Sequence, residues 1–135
     1  MKRLFWSALF YSIIGLLLGV FYREFTKMNE YNGTTMLTGL HVHSLVLGLL
    51  FFIILILLEH NFSITSCRSY NICYVIYNLG LIGTLATMTT RGIFQVLGQD
   101  MPGLNHIAGL FHMLLGVGIV WFVLLLKKRI WALAN

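Results

Sequence analysis

Four stretches of this chain, residues 4–22, 31–58, 69–90 and 101–126, contain no Asp, Glu, Lys or Arg. Each reaches roughly the 20 residues that an α-helix needs to cross about 30 Å of hydrocarbon. Only short polar segments separate them, which leaves no length for a soluble domain. Composition agrees: 10% of the 135 residues are charged and 59% are hydrophobic, against about 25% and 45–50% in soluble domains. In lipid the backbone must satisfy its own N–H and C=O groups, and a helix does this without help from neighbours. The expected fold is an all-α, integral-membrane four-helix bundle forming a single transmembrane domain, with spans at about residues 4–22, 35–58, 70–90 and 104–126. Such short connections force an up-down-up-down order.

The few charges orient the bundle. With the N-terminus inside, Lys2, Arg3, Arg68, Lys127, Lys128 and Arg129 fall on the cytoplasmic side, and Arg23, Lys27 and Arg91 fall outside. That distribution satisfies the positive-inside rule and places both termini in the cytoplasm. It also accounts for the net charge of +5 without nucleic acid, since no basic patch is interleaved with aromatic residues. Met1, Lys2 and Arg3 resemble the start of a signal peptide. The uncharged run after them is longer than a signal core and no small-residue cleavage site follows, so an uncleaved span is expected. Cys67 and Cys73 lie near the second cytoplasmic loop with no zinc-ligand spacing, and read as incidental reduced thiols.

Helix one carries Gly15-x-x-x-Gly19, a spacing that lets another helix approach closely. Helix three carries a polar stripe of Asn78, Thr84, Thr87 and Thr90. Threonines at such depth usually bond back to their own helix, and the stripe needs no functional account on that basis.

The reactive chemistry is imidazole. His41 and His43 fall in the second span, His106 and His112 in the fourth, and His60 beyond the end of the second. Ionisable groups inside a membrane are costly, and each is a functional candidate by default. Both spans enter from the outside, so His43 and His112 each lie roughly 12 Å below their helix starts at about 1.5 Å per residue. His106 sits near the interface, where a histidine costs little. His41 and His43 are about 200° apart around a helix and face nearly opposite ways. This layout does not suit a compact chelate. It suits a planar cofactor held between helices by one axial imidazole from each, as in b-type haem. Gly48 and Gly109 are candidates to clear space for a macrocycle, as are Gly39, Gly116 and Gly118. Arg23 and Arg91, with Lys27, are candidates to pair with propionates. No intramembrane carboxylate accompanies the histidines, which argues against a proton-coupled transporter and a hard-metal site. A copper or zinc site built from His41, His43 and His112 is the alternative, with methionine sulfur available to copper. A non-catalytic packing or scaffold subunit is a third reading.

Several motifs carry resemblances. Phe21-Tyr22-Arg23-Glu24-Phe25-Thr26-Lys27, Leu40-His41-x-His43 with Gly48, Tyr77-Asn78-x-Gly80 and Ile107-Ala108-Gly109-Leu110-x-His112 resemble, nearly end to end, a family of small four-span bacterial membrane proteins of unknown function. That resemblance implies a multi-pass protein of the bacterial plasma membrane. The His41-x-His43 segment is also similar to the helix of haem-copper oxidase catalytic subunits whose two histidines ligate two haems on opposite faces. Those subunits are built as three arcs of four helices, so by analogy this chain is expected to form a homo-oligomer, with a trimer favoured. The oxidases' copper ligands and cross-linked His-Tyr pair have no counterpart here, and oxygen reduction is not implied. The combined expectation is a membrane haem protein, ligated by His43 and His112 with His41 as a further ligand or supporting group. Its role would be electron transfer with a redox partner, or sensing or handling of a diatomic gas.

Overall fold

The computed structural model describes residues 1–99 and 101–134. Among them the regular structure is all helical, with no strand. Four helices, α1 (Lys2–Met28), α2 (Met36–Phe62), α3 (Tyr70–Val96) and α4 (Leu104–Ala134), are each long and apolar enough to cross a membrane. They run further than the uncharged stretches. Arg23 to Lys27 continue α1, Glu59 and His60 continue α2, Arg91 continues α3, and Lys127 to Arg129 continue α4. The first parts of the connections expected between the spans, residues 23–28 and 91–96, are therefore helical. Charges mark where lipid gives way to headgroups, while helices continue as long as their hydrogen bonds do.

Specific polar contacts tie the helices at both ends of the bundle. At the end away from the termini, Thr35 Oγ1 donates to Gly92 O at 3.0 Å, and Met36 N–H donates to Gln95 Oε1 at 2.8 Å, tying the start of α2 to the end of α3. At the end that bears the termini, Ser63 adopts a left-handed conformation (φ 49°, ψ 51°) and closes α2. Glu59 then accepts from the Thr65 N–H at 2.7 Å and from the Thr65 hydroxyl, and Arg129 Nε donates to Phe62 O at 2.8 Å.

α2 is not uniform. It opens with a 3₁₀ turn (Met36–Gly39), passes through one α-turn (Leu40–His43), widens into a π-helix (Ser44–Leu50) and returns to α (Phe51–Phe62). Pi-helical turns are rare and concentrate at functional sites. This one is held from both sides: Ser44 Oγ donates to Tyr11 O at 2.8 Å, and the Tyr77 hydroxyl donates to Leu47 O.

Helix pairs approach through small residues. Gly15 faces Leu45 and Ser44 across the α1–α2 interface, and Gly19 faces His41, so the Gly15-x-x-x-Gly19 spacing is a real packing seam. Across α3–α4 the approach is closer: a Cβ at Gly80 would lie 2.5 Å from the Leu115 backbone N, and one at Gly83 would lie 2.0 Å from Phe111 Cδ1. Towards the termini end, aromatic rings fill the centre. Phe51 stacks on Tyr77 with centroids 4.3 Å apart, and Tyr11 stacks on Phe52 at 5.7 Å. Leu16, Leu17, Val20, Val120 and Val123 stay exposed, as a lipid-facing surface requires.

Two glycine substitutions separate these roles. Gly80→Ala pushes backbone against backbone and is expected to destabilise the protein by roughly 1–3 kcal/mol. Gly116→Ala meets nothing within 4 Å in the single chain and is expected to be neutral, or stabilising by up to about 1 kcal/mol through helix propensity. Denaturation in detergent micelles, monitored by circular dichroism, measures both.

Candidate cofactor site

His43 and His112 come together. A cavity of about 230 Å³ near the end away from the termini is lined by both, with Met36, Met88, Thr87 and Arg91. α2 and α4 run in the same direction, and helical side chains lean towards their own N-termini. Both imidazoles therefore reach towards the same membrane side, one from each helix, with α3 forming the wall.

Each ring is held in the same way. His43 Nδ1 lies 2.9 Å from Gly39 O, and His112 Nδ1 lies 2.9 Å from Ala108 O, one turn back on its own helix. A carbonyl only accepts, so Nδ1 is the protonated nitrogen in both rings. In the neutral imidazole this leaves Nε2 with a free lone pair. Metal-ligating histidines are prepared by this kind of contact, which fixes tautomer and ring orientation and raises the basicity of the other nitrogen. Gly39 lies against both side chains: a Cβ there would sit 3.3 Å from Met88 Cε and, at ordinary contact distance, 3.5 Å from His43 Nδ1.

Arg91 lines the cavity half-buried. The one ion pair among the described residues joins Arg23 to Glu24 at 3.8 Å, and Arg91 pairs with no carboxylate among those residues. Thr87 Oγ1 is turned onto its own helix, donating to Gly83 O at 2.9 Å. The lining thus combines two free imidazole nitrogens, two thioethers and one guanidinium.

The other expected site residues lie elsewhere. His41 faces α1 at Gly19 and does not line this cavity, and its Nδ1 is buried without a hydrogen-bond partner. The opposite orientation expected for His41 and His43 is therefore present. Gly48 is filled by Tyr11, whose Cβ would lie 2.3 Å from a Cβ at that position, and offers no clearance for a macrocycle. Gly109 does: it is exposed with nothing within 4 Å, one turn before His112. Gly116 is equally open, whereas Gly118 is packed on Tyr77. Arg23 is 79% exposed beside Glu24 and lies outside the cavity. His106 and His60 are exposed and are also outside it. Cys67 and Cys73 are free thiols, and Cys73 Sγ donates to Gly118 O at 3.6 Å.

Met36 and Met88 are scattered in sequence, yet both reach the site. On α3 the signal was present as Thr87, Met88 and Arg91, which share one face at i, i+1 and i+4. Among the described residues no three His, Cys, Asp or Glu side chains form a chelating group, which disfavours the three or four protein ligands typical of zinc.

The helices and the site define a multi-pass membrane protein. The chain belongs to the family described as proteins of unknown function, DUF2871, whose model matches residues 1–129. No curated protein and no solved structure matches it.

The fixed tautomers are measurable. In cofactor-free protein with ¹⁵N-labelled histidine, at mildly alkaline pH, two of the five rings are expected to carry the proton on Nδ1. Both signals should vanish in the His43→Gln, His112→Gln double variant. A spectrum in which all five rings protonate Nε2 contradicts the assignment.

Proposed function

We propose that this chain binds b-type haem at the α2–α3–α4 cavity, with His43 and His112 as axial ligands. The observation that carries the reading is the pair of imidazoles facing one cavity, each with Nδ1 tied to its own helix and Nε2 left free. Bis-imidazole ligation requires that arrangement. Arg91, without an acidic partner among the described residues, supplies the cation that a propionate needs. Bound haem would provide a one-electron iron couple, which fits a role in electron transfer or in sensing or handling a diatomic gas.

The cavity of about 230 Å³ is smaller than a porphyrin. The rest of the macrocycle would extend past His112 over the open helix face at Gly109. His112 is exposed in the single chain, so this reading includes a homo-oligomer whose neighbour covers that face. By analogy with oxidase subunits of three four-helix arcs, a trimer is favoured. The charge distribution supports an orientation with both termini cytoplasmic, and the resemblance to small bacterial four-span proteins supports a location in the bacterial plasma membrane.

A second reading has one observation in its favour. Met36 and Met88 join His43 and His112 at the same cavity, and thioether with imidazole suits copper. Arg91 counts against it, because a fixed cation repels a bare metal ion and attracts an anionic cofactor. Zinc is weaker still for want of ligands.

An absorption spectrum of protein expressed with haem supplied, oxidised and then dithionite-reduced, decides between these readings. A Soret band with sharp reduced α and β bands is expected. His43→Ala and His112→Ala should each abolish the six-coordinate spectrum while keeping the wild-type elution volume. Arg91→Gln should keep the spectrum but weaken haem retention by roughly 10- to 150-fold, since a hydrogen bond to a charged group contributes about 1.5–3 kcal/mol. Stoichiometric copper without a Soret band selects the second reading. Absence of both, with variants indistinguishable from wild type, leaves a packing subunit.

A further inference from the structure

We infer that the groove between α1 and α3 is a binding site for an anionic glycerophospholipid of the leaflet at the termini end, its phosphate at Arg3 and one acyl chain along the groove. α1 and α3 both pack on α2 and leave a channel between them on the outer surface of the bundle. A hollow of about 500 Å³ opens beside Arg3, Trp6, Phe10 and Tyr74. A second of about 210 Å³ shares the walls Phe10 and Ile82 and continues to Ala86. From Arg3 to Leu18 on α1 the wall rises about 22 Å at 1.5 Å per residue, comparable to an extended acyl chain.

Hydrogen bonds along the groove distinguish its floor from its mouth. Ser7 Oγ donates to Arg3 O at 3.1 Å, so in the 2.6 Å contact between Ser7 and Tyr74 the Tyr74 hydroxyl is the donor. Tyr11 Oη donates to Asn78 Oδ1 at 2.8 Å, and Asn78 Nδ2 donates to Tyr74 O at 2.8 Å. These hydroxyl protons are used internally, which suits a hydrocarbon chain better than a carbonyl headgroup such as a quinone. Arg3 differs. Its Nη1 donates to Asn71 Oδ1 at 2.9 Å, and its guanidinium lies over the Tyr74 ring, 4.5 Å from the centroid. The side chain is thus held at the mouth with most of its five N–H donors still available.

The charges complement an anion. No Asp or Glu lines either hollow. The termini end carries Lys2, Arg3, Arg68, Lys127, Lys128 and Arg129, and the carboxylate of Glu59 there is occupied by Thr65. A basic residue at such a surface favours anionic lipid beside it by about 1 kcal/mol, or roughly fivefold, and the effect falls off within a Debye length, so at the groove it is Arg3 that sets the preference. The inference is independent of the haem reading and stands or falls separately from it.

Trp6 reports on the site. In a Trp121→Phe, Trp131→Phe background it is the sole tryptophan. Its fluorescence is measured in bilayers containing chain-brominated phosphatidylglycerol or phosphatidylcholine at equal mole fraction. Phosphatidylglycerol is expected to quench about fivefold more effectively. Arg3→Gln should bring that ratio close to one. Lys128→Gln, which removes one charge from the same end but away from the groove, should leave it unchanged. Ala86→Phe, which fills the groove without altering charge, should lower it. Equal quenching by the two lipids in the parent protein overturns the inference, as does an unchanged ratio in Arg3→Gln. Equal loss in Arg3→Gln and Lys128→Gln also overturns it, because a diffuse field then replaces a site.

Discussion

Polar groups inside a bilayer have no water to bond with, and this scarcity organises the whole molecule. Most polar side chains in the spans turn to backbone carbonyls, while Tyr11 and Tyr74 donate instead to Asn78 Oδ1 and Ser7 Oγ. Thr87, Thr89 and Thr90 donate to carbonyls one turn back, Ser44 donates to Tyr11 O across a helix interface, and Tyr77 donates to Leu47 O across another. For hydroxyls this only avoids an unsatisfied group. For an imidazole the same contact consumes Nδ1 and leaves Nε2 bare, so one constraint that stabilises the spans also prepares His43 and His112 chemically. The exceptions are informative. His41 Nδ1, Tyr70 Oη and Thr84 Oγ1 are buried without partners, and His41 is the one imidazole among them.

α2 mediates between two jobs. Its one α-turn and the 3₁₀ turn before it hold His43 over Gly39, next to Met88 and the α3–α4 pair. The π-helix that follows carries Ser44 and Gly48, which face Tyr11 on α1. A helix of constant pitch would have to satisfy both neighbours with one register. The wider π-turns change the rotation per residue after His43, so that Ser44 reaches Tyr11 O on α1 while Leu47 O accepts from Tyr77 on α3.

Much of this was legible in the sequence because it follows from periodicity and composition. Four uncharged runs required four helices, the two-residue spacing of His41 and His43 required opposite faces, and intramembrane threonines were expected to bond backwards, as Thr87 and Thr90 do and Thr84 does not. Other features depend on which residues meet across helices, and a single sequence does not encode that directly. Gly48 and Gly109 look equivalent as text, yet one is filled by Tyr11 and the other is open. Arg23 and Arg91 both flank spans, yet Arg23 has an acidic neighbour and Arg91 reaches the cavity. Met36 and Met88 are brought together only by the α2–α3 turn. The π-helix was invisible because hydropathy reports which face is apolar, not which carbonyl each N–H selects.

What separates the candidate site from ordinary membrane packing is the state of α4. It is the least buried of the four helices, and its uncovered face carries Gly109, His112 and Gly116, none of them packed against another helix within the chain. Exposed leucine or valine on such a face costs nothing in lipid. An exposed imidazole with a bare Nε2 does, because a lone pair in hydrocarbon forfeits the hydrogen bonds it would have in water. Small residues on either side of it permit close approach by a flat group or another helix. A macrocycle ligated by Nε2 and a second copy seated on the glycines would each relieve that cost. On the proposed reading the two are compatible, since a macrocycle would extend from the cavity onto the same face that the neighbour would cover.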